Sequence, residues 1–343
     1  MSAPPAPSLD ILGIGNAIVD VLSRAPDDFL DARNLAKGAM RLIGPEEAEA
    51  LYAAMGPGLE SSGGSGANTC AVAAMLGARV GFLGKVADDQ LGRVFAHDIR
   101  AVGVQYPTAP LPAATAPTAR CLILVTPDGQ RTMNTFLGAC VHFSAADVDE
   151  AMVASAAVTY LEGYLFDPPA AQAAFYQASA AAHRAGRRVA ITLSDAFCVQ
   201  RHRQAFRKFV REEADILFAN EAEILALYET EDFGKAVALA RQDVALAALT
   251  RSEHGSVIVT ETEMHAVPAR PTQVLDTTGA GDAYAAGFLA ALTRGLPLAE
   301  CGRWGSVAAS VVIAQLGARP QADLKAAVAA GAPGNRNVSS VLG

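Results

Sequence analysis

"DTTGAGDAYAAGFLAAL", residues 276–292, sets small residues around one carboxylate, Asp282, and runs directly into an apolar stretch. Gly279, Ala280 and Gly281 permit a tight turn and let an anion come close to the peptide N–H groups. The alanine- and leucine-rich run that follows predicts a helix, whose first N–H groups and positive dipole end would face the same point. Asp282 then occupies the first helical turn, beside an anion rather than beneath it. A carboxylate there can take a proton from an attacking hydroxyl while the amides hold a transferring phosphoryl group. Aspartate in a first turn also serves plain dipole compensation, so the local pattern leaves both readings open.

Upstream of this stretch, short apolar runs alternate with longer alanine-rich segments of helical period. "LDILGIG" (9–15), "VGFLG" (80–84), "VTYLEG" (158–163), "RVAITLS" (188–194), "DILFAN" (215–220) and "VALAALT" (244–250) read as strands, several apolar enough for burial on both faces. "NTCAVAAMLGA", "LGRVFAHDIRAVG", "PAAQAAFYQASAAAHRAG" and "NEAEILALYE" read as helices. Such alternation predicts an α/β fold with a mostly parallel sheet and helices on both faces. Ligands of these sheets sit at the carboxyl ends of the strands. Residues 16–43 and 105–138 break the pattern, and "ARCLILVT", "PDGQ", "RTMNTF" reads as a hairpin. The predicted division is a core of 1–15, 44–104 and 139–343, with 16–43 and 105–138 as a small β lid. The tail "GAPGNRNVSSVLG" is expected to be poorly ordered.

Composition narrows the function. Of 343 residues, 51% are hydrophobic and 18% charged, a globular balance, and the net charge of −8 argues against nucleic acid as a partner. The five cysteines are scattered without a C-x-x-C pair, which predicts reduced thiols and a cytoplasmic protein. "MSAPPAPSLD" reads as a Pro-rich arm rather than a signal peptide, and no run nears the about 18 apolar residues of a membrane span. The six histidines share no metal-ligand spacing. "RHRQAFRKFVR" reads as a solvated helix face whose arginines can also attract a nucleotide. No G-x-x-x-x-G-K-[ST] occurs, and "GIGNAI", "GSGANT" and "GAGDAY" each lack the last small residue of the dinucleotide fingerprint.

"DTTGAGD" with "AYAAGFLAAL", and "GGSGANTCAVAAMLGARVGFLGKVADDQLG" at 63–92, resemble the two signatures of the ribokinase-like (PfkB) carbohydrate and nucleoside kinases. The resemblance runs from "LDILGIGNAIVD" to "LGARP" and implies a three-layer α/β/α sandwich with a small β-sheet lid. It implies Asp282 as catalytic base, with Gly279, Ala280 and Gly281 as the anion hole. Asp20 would grip acceptor hydroxyls with Asn16, Ser65 and Asn68, and Gly63 and Gly64 would form the hinge under the lid. "NEAE" implies that Asn220 and Glu223 organise Mg²⁺ through water, and "TRSEHGS" offers Thr250, Ser252 and Gly255 to ATP. Asp276 and Thr278 fit the place of a monovalent cation such as K⁺, with Thr278 also near the nucleotide.

"GNAIVDV", "KGAMRLI" and "PDGQRTMNTFLGA" are more similar to adenosine-kinase-type members. The resemblance implies Phe197, in "LSDAF", at the border of a base pocket, with Tyr164 and Phe136 as further apolar surface. Arg131 would be a lid arginine that reaches the phosphates. The reading is therefore phosphoryl transfer from Mg·ATP to a purine nucleoside 5′-hydroxyl, adenosine to AMP, a purine-salvage reaction. A ribokinase- or fructokinase-type sugar kinase remains open, as does an inactive nucleoside- or nucleotide-binding protein of the same fold. Monomer and homodimer are both compatible with a lid of this kind.

Overall fold

The computed structural model describes residues 6–330; the tail expectation, on residues 331–343, lies outside them. Among the described residues, fourteen strands form two sheets: β1 Leu9–Ile14, β2 Ile18–Arg24, β3 Met40–Leu42, β4 Gly58–Gly63, β5 Val80–Leu83, β6 Val104–Gln105, β7 Ala119–Val125, β8 Arg131–Phe136, β9 Ala156–Glu162, β10 Arg188–Thr192, β11 Ile216–Asn220, β12 Leu246–Thr250, β13 Ser256–Thr260 and β14 Met264–Val267. The large sheet runs β14-β13-β12-β11-β10-β9-β1-β5-β6. It is parallel from β12 to β6, and β13 and β14 add an antiparallel edge.

Two hydrophobic clusters flank this sheet. One gathers helices Ser65–Met75, Ala280–Leu292 and Leu298–Ile313; the other gathers Pro169–Arg184, Ala196–Glu212, Glu221–Tyr228 and Phe233–Asp243. Helix Ala280–Leu292 is buried from Ala283 to Ala291, because it lies between Ser65–Met75 and Leu298–Ile313. Each fully buried large side chain there, such as Phe288 or Leu289, contributes about 1.5–3 kcal/mol. Gly287 lets the two long helices touch, since a methyl at that position would lie 2.5 Å from the Trp304 carbonyl oxygen. Asp282 is thus the polar head of an otherwise apolar helix.

The small sheet has the order β3-β8-β7-β2-β4. The hairpin read at 119–136 is present as antiparallel β7 and β8. One boundary differs from the sequence reading, which places residues 44–104 in the core: β4 pairs antiparallel with β2 and so belongs to the small sheet. Its sequence, "GLESSG", carries too little hydrophobic alternation to announce a strand. The arginines of helix Ala196–Glu212 are also engaged: Arg201 pairs with Asp167, Arg203 with Glu229, and Arg207 and Arg211 with Asp243. That network takes up the charges offered above to a nucleotide.

Candidate functional site

The carboxyl ends of β1, β9, β10, β11 and β12 all lead into site residues. After β1 the chain turns through Asn16 into the small sheet, where Asp20 lies on β2. β4 returns antiparallel to β2 and delivers the Gly63–Gly64 pair to the start of helix Ser65–Met75. Gly63 has no room for a methyl, because the Asp20 carboxylate lies against its Cα. Gly64 adopts φ +92° and caps that helix, with the Asn16 carbonyl where a side chain would project.

Asp282 meets this end of the core. Ser65 Oγ donates to Asp282 Oδ1 at 2.6 Å, and Asn68 also bonds its carboxylate. Burial pushes the Asp282 carboxyl up to about 6, against the lowering pull of these two bonds and of the Arg319 charge. Burial likewise raises Asp20 to about 6; Arg319 and Arg131 pull it down, and Asp282 pushes it up. Asp282 raises Asp20, and the Arg319 charge lowers both.

Gly279 caps helix Ala280–Leu292 at φ +76°, where a methyl would lie 2.6 Å from Ala318 Cβ. At the exposed Gly281 a Cβ would meet nothing within 4 Å, so the protein leaves room above that peptide. The first-turn amides have no intrahelical acceptors and face this room with the helix dipole behind them. The arrangement fits a bound anion.

The Asp276 carboxylate of the same loop is fully committed. Oδ1 accepts from Thr278 N at 3.0 Å, and Oδ2 accepts from Gly317 N at 2.9 Å and pairs with Arg131 Nη1 at 2.9 Å. Arg131 and Asp276 are both buried, so an ion pair joins the small sheet to the glycine loop. This geometry does not fit the monovalent cation expected at Asp276, because a guanidinium already neutralises that carboxylate. Arg131 Nε and Nη2 are buried without partners.

At the other end, β11 and β12 pair in register through Asn220 and Thr250, which sets "NEAE" beside "TRSEHG". Asn220 and Glu223 form a capping box: Asn220 Oδ1 accepts from Glu223 N at 2.9 Å, and the Glu223 carboxylate accepts from Asn220 N at 2.9 Å and Nδ2 at 2.6 Å. Burial raises Glu223 to about 7, and the Asp195 and Asp282 charges add to the rise. Among the described residues no three acidic, histidine or cysteine side chains group to hold a metal directly. The mutual repulsion of Asp195, Glu223 and Asp282 nevertheless fits a hydrated cation held through water. Ser252 and Gly255, at φ +50° and +83°, shape the adjoining turn.

The pfkB family carbohydrate kinase model matches residues 39–324. This chain belongs to the pfkB family. As a pfkB-family kinase it is a phosphotransferase with an alcohol group as acceptor. It is similar to the crystal structure of adenosine kinase from Sinorhizobium meliloti, at 52% identity and TM-score 0.87, covering 94% of this chain and 99% of that one. It is also similar to a probable sugar kinase protein from Rhizobium etli CFN 42, at 49% identity and TM-score 0.88, covering 94% and 98%. Against cytidine kinase of Thermococcus kodakarensis it is 34% identical over 137 residues, 38% of this chain and 49% of that protein.

In this pfkB-family kinase, Tyr164 lies near the acidic centre: burial raises its phenol, and Asp195, Asp282, Glu223 and Glu162 raise it further. Phe197 follows the helix cap Asp195 and is 70% exposed, an unusual state for a phenylalanine. Phe136 instead packs half-buried against the hydrophobic cluster. Cys121 is a buried thiol that burial pushes up to about 12, hence inert packing beside Asp20.

Two residues escaped the sequence reading. Glu162, at the end of β9, accepts from Asn16 N (3.1 Å), Asn16 Nδ2 (2.6 Å) and Gly66 N (2.7 Å), and burial raises it to about 7. Its signal was present: a charge closing the apolar run "VTYLEG". Arg319 donates Nε to Asn68 Oδ1 at 3.0 Å and Nη1 to Ser62 Oγ at 2.5 Å. Nothing in "LGARP" marks it.

Proposed function

We propose that this pfkB-family kinase transfers the γ-phosphoryl group of ATP to the 5′-hydroxyl of a purine nucleoside, adenosine above others. The observation that carries the reading is Asp282: a carboxylate tuned to about 6, set between an anion cradle and the hydroxyl-binding corner of Asp20, Ser65 and Asn68. In the reaction the acceptor oxygen bonds to the γ-phosphorus, the bond from that phosphorus to the β–γ bridging oxygen breaks, and ADP leaves. The hydroxyl proton passes to Asp282. Gly279, Ala280 and Gly281 hold the transferring oxygens through their amides. Asn220 and Glu223 would hold Mg²⁺ through water, and the metal would supply charge neutralisation at the phosphates. Thr250, Ser252, Gly255 and Thr278 border the nucleotide.

The small sheet acts as a lid that excludes water, with Arg131 anchored on Asp276 through Nη1 and offering its unpaired Nη2 to the phosphates. K⁺ has no part in this reading, because Arg131 supplies the positive charge at Asp276. Buried unpaired cysteines suit a reducing compartment, and no helix among the described residues is long and apolar enough to cross a membrane.

The nucleoside assignment draws support from the S. meliloti likeness and from the exposure of Phe197 at the start of the helix that follows β10. A sugar acceptor is the second reading, favoured by the R. etli likeness. ADP release with Mg·ATP against adenosine, cytidine, ribose and fructose separates them. The expected result is turnover on adenosine, with Phe197→Ala raising the nucleoside KM and leaving the ATP KM alone. Turnover on a free sugar only would overturn the nucleoside reading.

A further inference from the structure

Three separate parts of the fold meet on Arg319. It lies in the turn after helix Leu298–Ile313, reaches Asn68 on helix Ser65–Met75, and reaches Ser62 on β4 of the small sheet. Ser62 N in turn donates to Asp98 Oδ2 at 3.1 Å, which ties helix Gln90–Ala101 into the same network. The backbone around the arginine is held as well, since Gln315 Nε2 donates to the Arg319 carbonyl at 2.7 Å. The guanidinium therefore has little freedom.

Its surroundings are acidic. Asp20, Asp98 and Asp282 all act on the guanidinium from different elements. Two of its nitrogens are satisfied, but Nη2 is buried without a partner. A buried donor left unpaired is unfavourable, and a ligand oxygen placed against it removes that cost. Surface ion pairing does not explain such a residue. Arginine suits the place because its fork can fix two neighbours and still present a third N–H.

We propose that Arg319 is the acceptor-positioning residue of this kinase: it fixes Asn68 against Asp282, supplies positive charge shared by Asp20 and Asp282, and presents Nη2 to an oxygen of the bound acceptor. This rests on the reading of Asp282 as base. The groups that act on or respond to the Asp282 charge are Arg319, Asp20, Glu162, Glu223, Tyr160 and Tyr164. Of these, Arg319 alone is a cation. Removing it leaves Asp282 among like charges and phenols.

The test is Arg319→Met beside Arg319→Lys, read in two ways. Steady-state kinetics on the preferred acceptor should show the acceptor KM raised about tenfold in both variants, with the ATP KM unchanged. Carbon-13 NMR of aspartate-labelled protein, with Asp282→Asn to assign the resonance, should show the Asp282 titration moved upward by about one unit or more in Arg319→Met. Arg319→Lys should restore the titration but not the KM. An unmoved titration, or an unchanged acceptor KM, overturns the proposal. If no acceptor is turned over, the functional reading fails while the NMR titration still decides the role of Arg319. Should Arg319→Met not fold, Ser62→Ala releases the Nη1 anchor alone: a raised acceptor KM supports the proposal and an unchanged one overturns it.

Discussion

The two ends of the cleft are built by opposite means. At the proposed nucleotide end the contacts are local: Asn220 bonds Glu223 three residues away, and the 250–255 turn closes through Arg251 N to the Gly255 carbonyl at 2.7 Å. At the proposed acceptor end every decisive contact is distant in sequence, with Ser65 and Asp282 217 positions apart and Asn68 and Arg319 251 positions apart. The local end needs only two neighbouring strands in register. The distant end exists only when both sheets and the turn after helix Leu298–Ile313 are in place, so it should tolerate change least.

Asp282→Asn puts the heaviest demand on that contrast. Loss of a general base lowers kcat by about 10²–10⁴-fold, while calorimetric nucleoside binding persists. Turnover at wild-type rate would remove Asp282 from the chemistry. Gly63→Ala comes next, because its methyl must displace the Asp20 carboxylate. A shift of that kind costs about 10²-fold in acceptor kcat/KM and leaves the ATP KM unchanged.

pH sharpens the comparison further. In the proposed reaction Asp282 and Asp20 work as carboxylates, so kcat/KM should fall as pH drops through about 6. Stability has the opposite sign. Their folded-state pKa lies above the ordinary value of 3.8, so the stabilisation they contribute is complete below 3.8 and is lost as pH rises through about 6. Asp282→Asn escapes this loss, and its melting temperature should gain on the wild type between pH 4 and 7. The smallest effect belongs to the local end. Asn220→Ala removes a helix cap worth about 1 kcal/mol, lowering Tm by about 1–2 °C, with a raised Mg²⁺ requirement and no change in acceptor KM.

The same division explains what the sequence disclosed. The buried strands, the amphipathic helices and the hairpin at 119–136 follow from periodicity over neighbouring residues, and the glycine loop announces itself in consecutive letters. β4 stayed hidden because "GLESSG" becomes a strand only through β2. Arg319 and the Arg131–Asp276 pair stayed hidden because an arginine in a turn has the same local pattern whether it meets water or a carboxylate across the cleft. Glu162 lies between these cases. Its charge after an apolar run was visible, but its partners Asn16 and Gly66 were not.

Gly317, Ala318 and Arg319 touch the site at Asp276, Gly279, Asn68 and Ser62. These three residues are among the last of the described chain to leave the ribosome. A nascent chain that has exposed every strand of both sheets and the whole glycine-loop helix still lacks the clasp that aligns Asn68 with Asp282. Synthesis therefore delivers the scaffold first and this clasp last, so a truncated product ending before Gly317 would retain Asp282 without the Arg319 contact to Asn68.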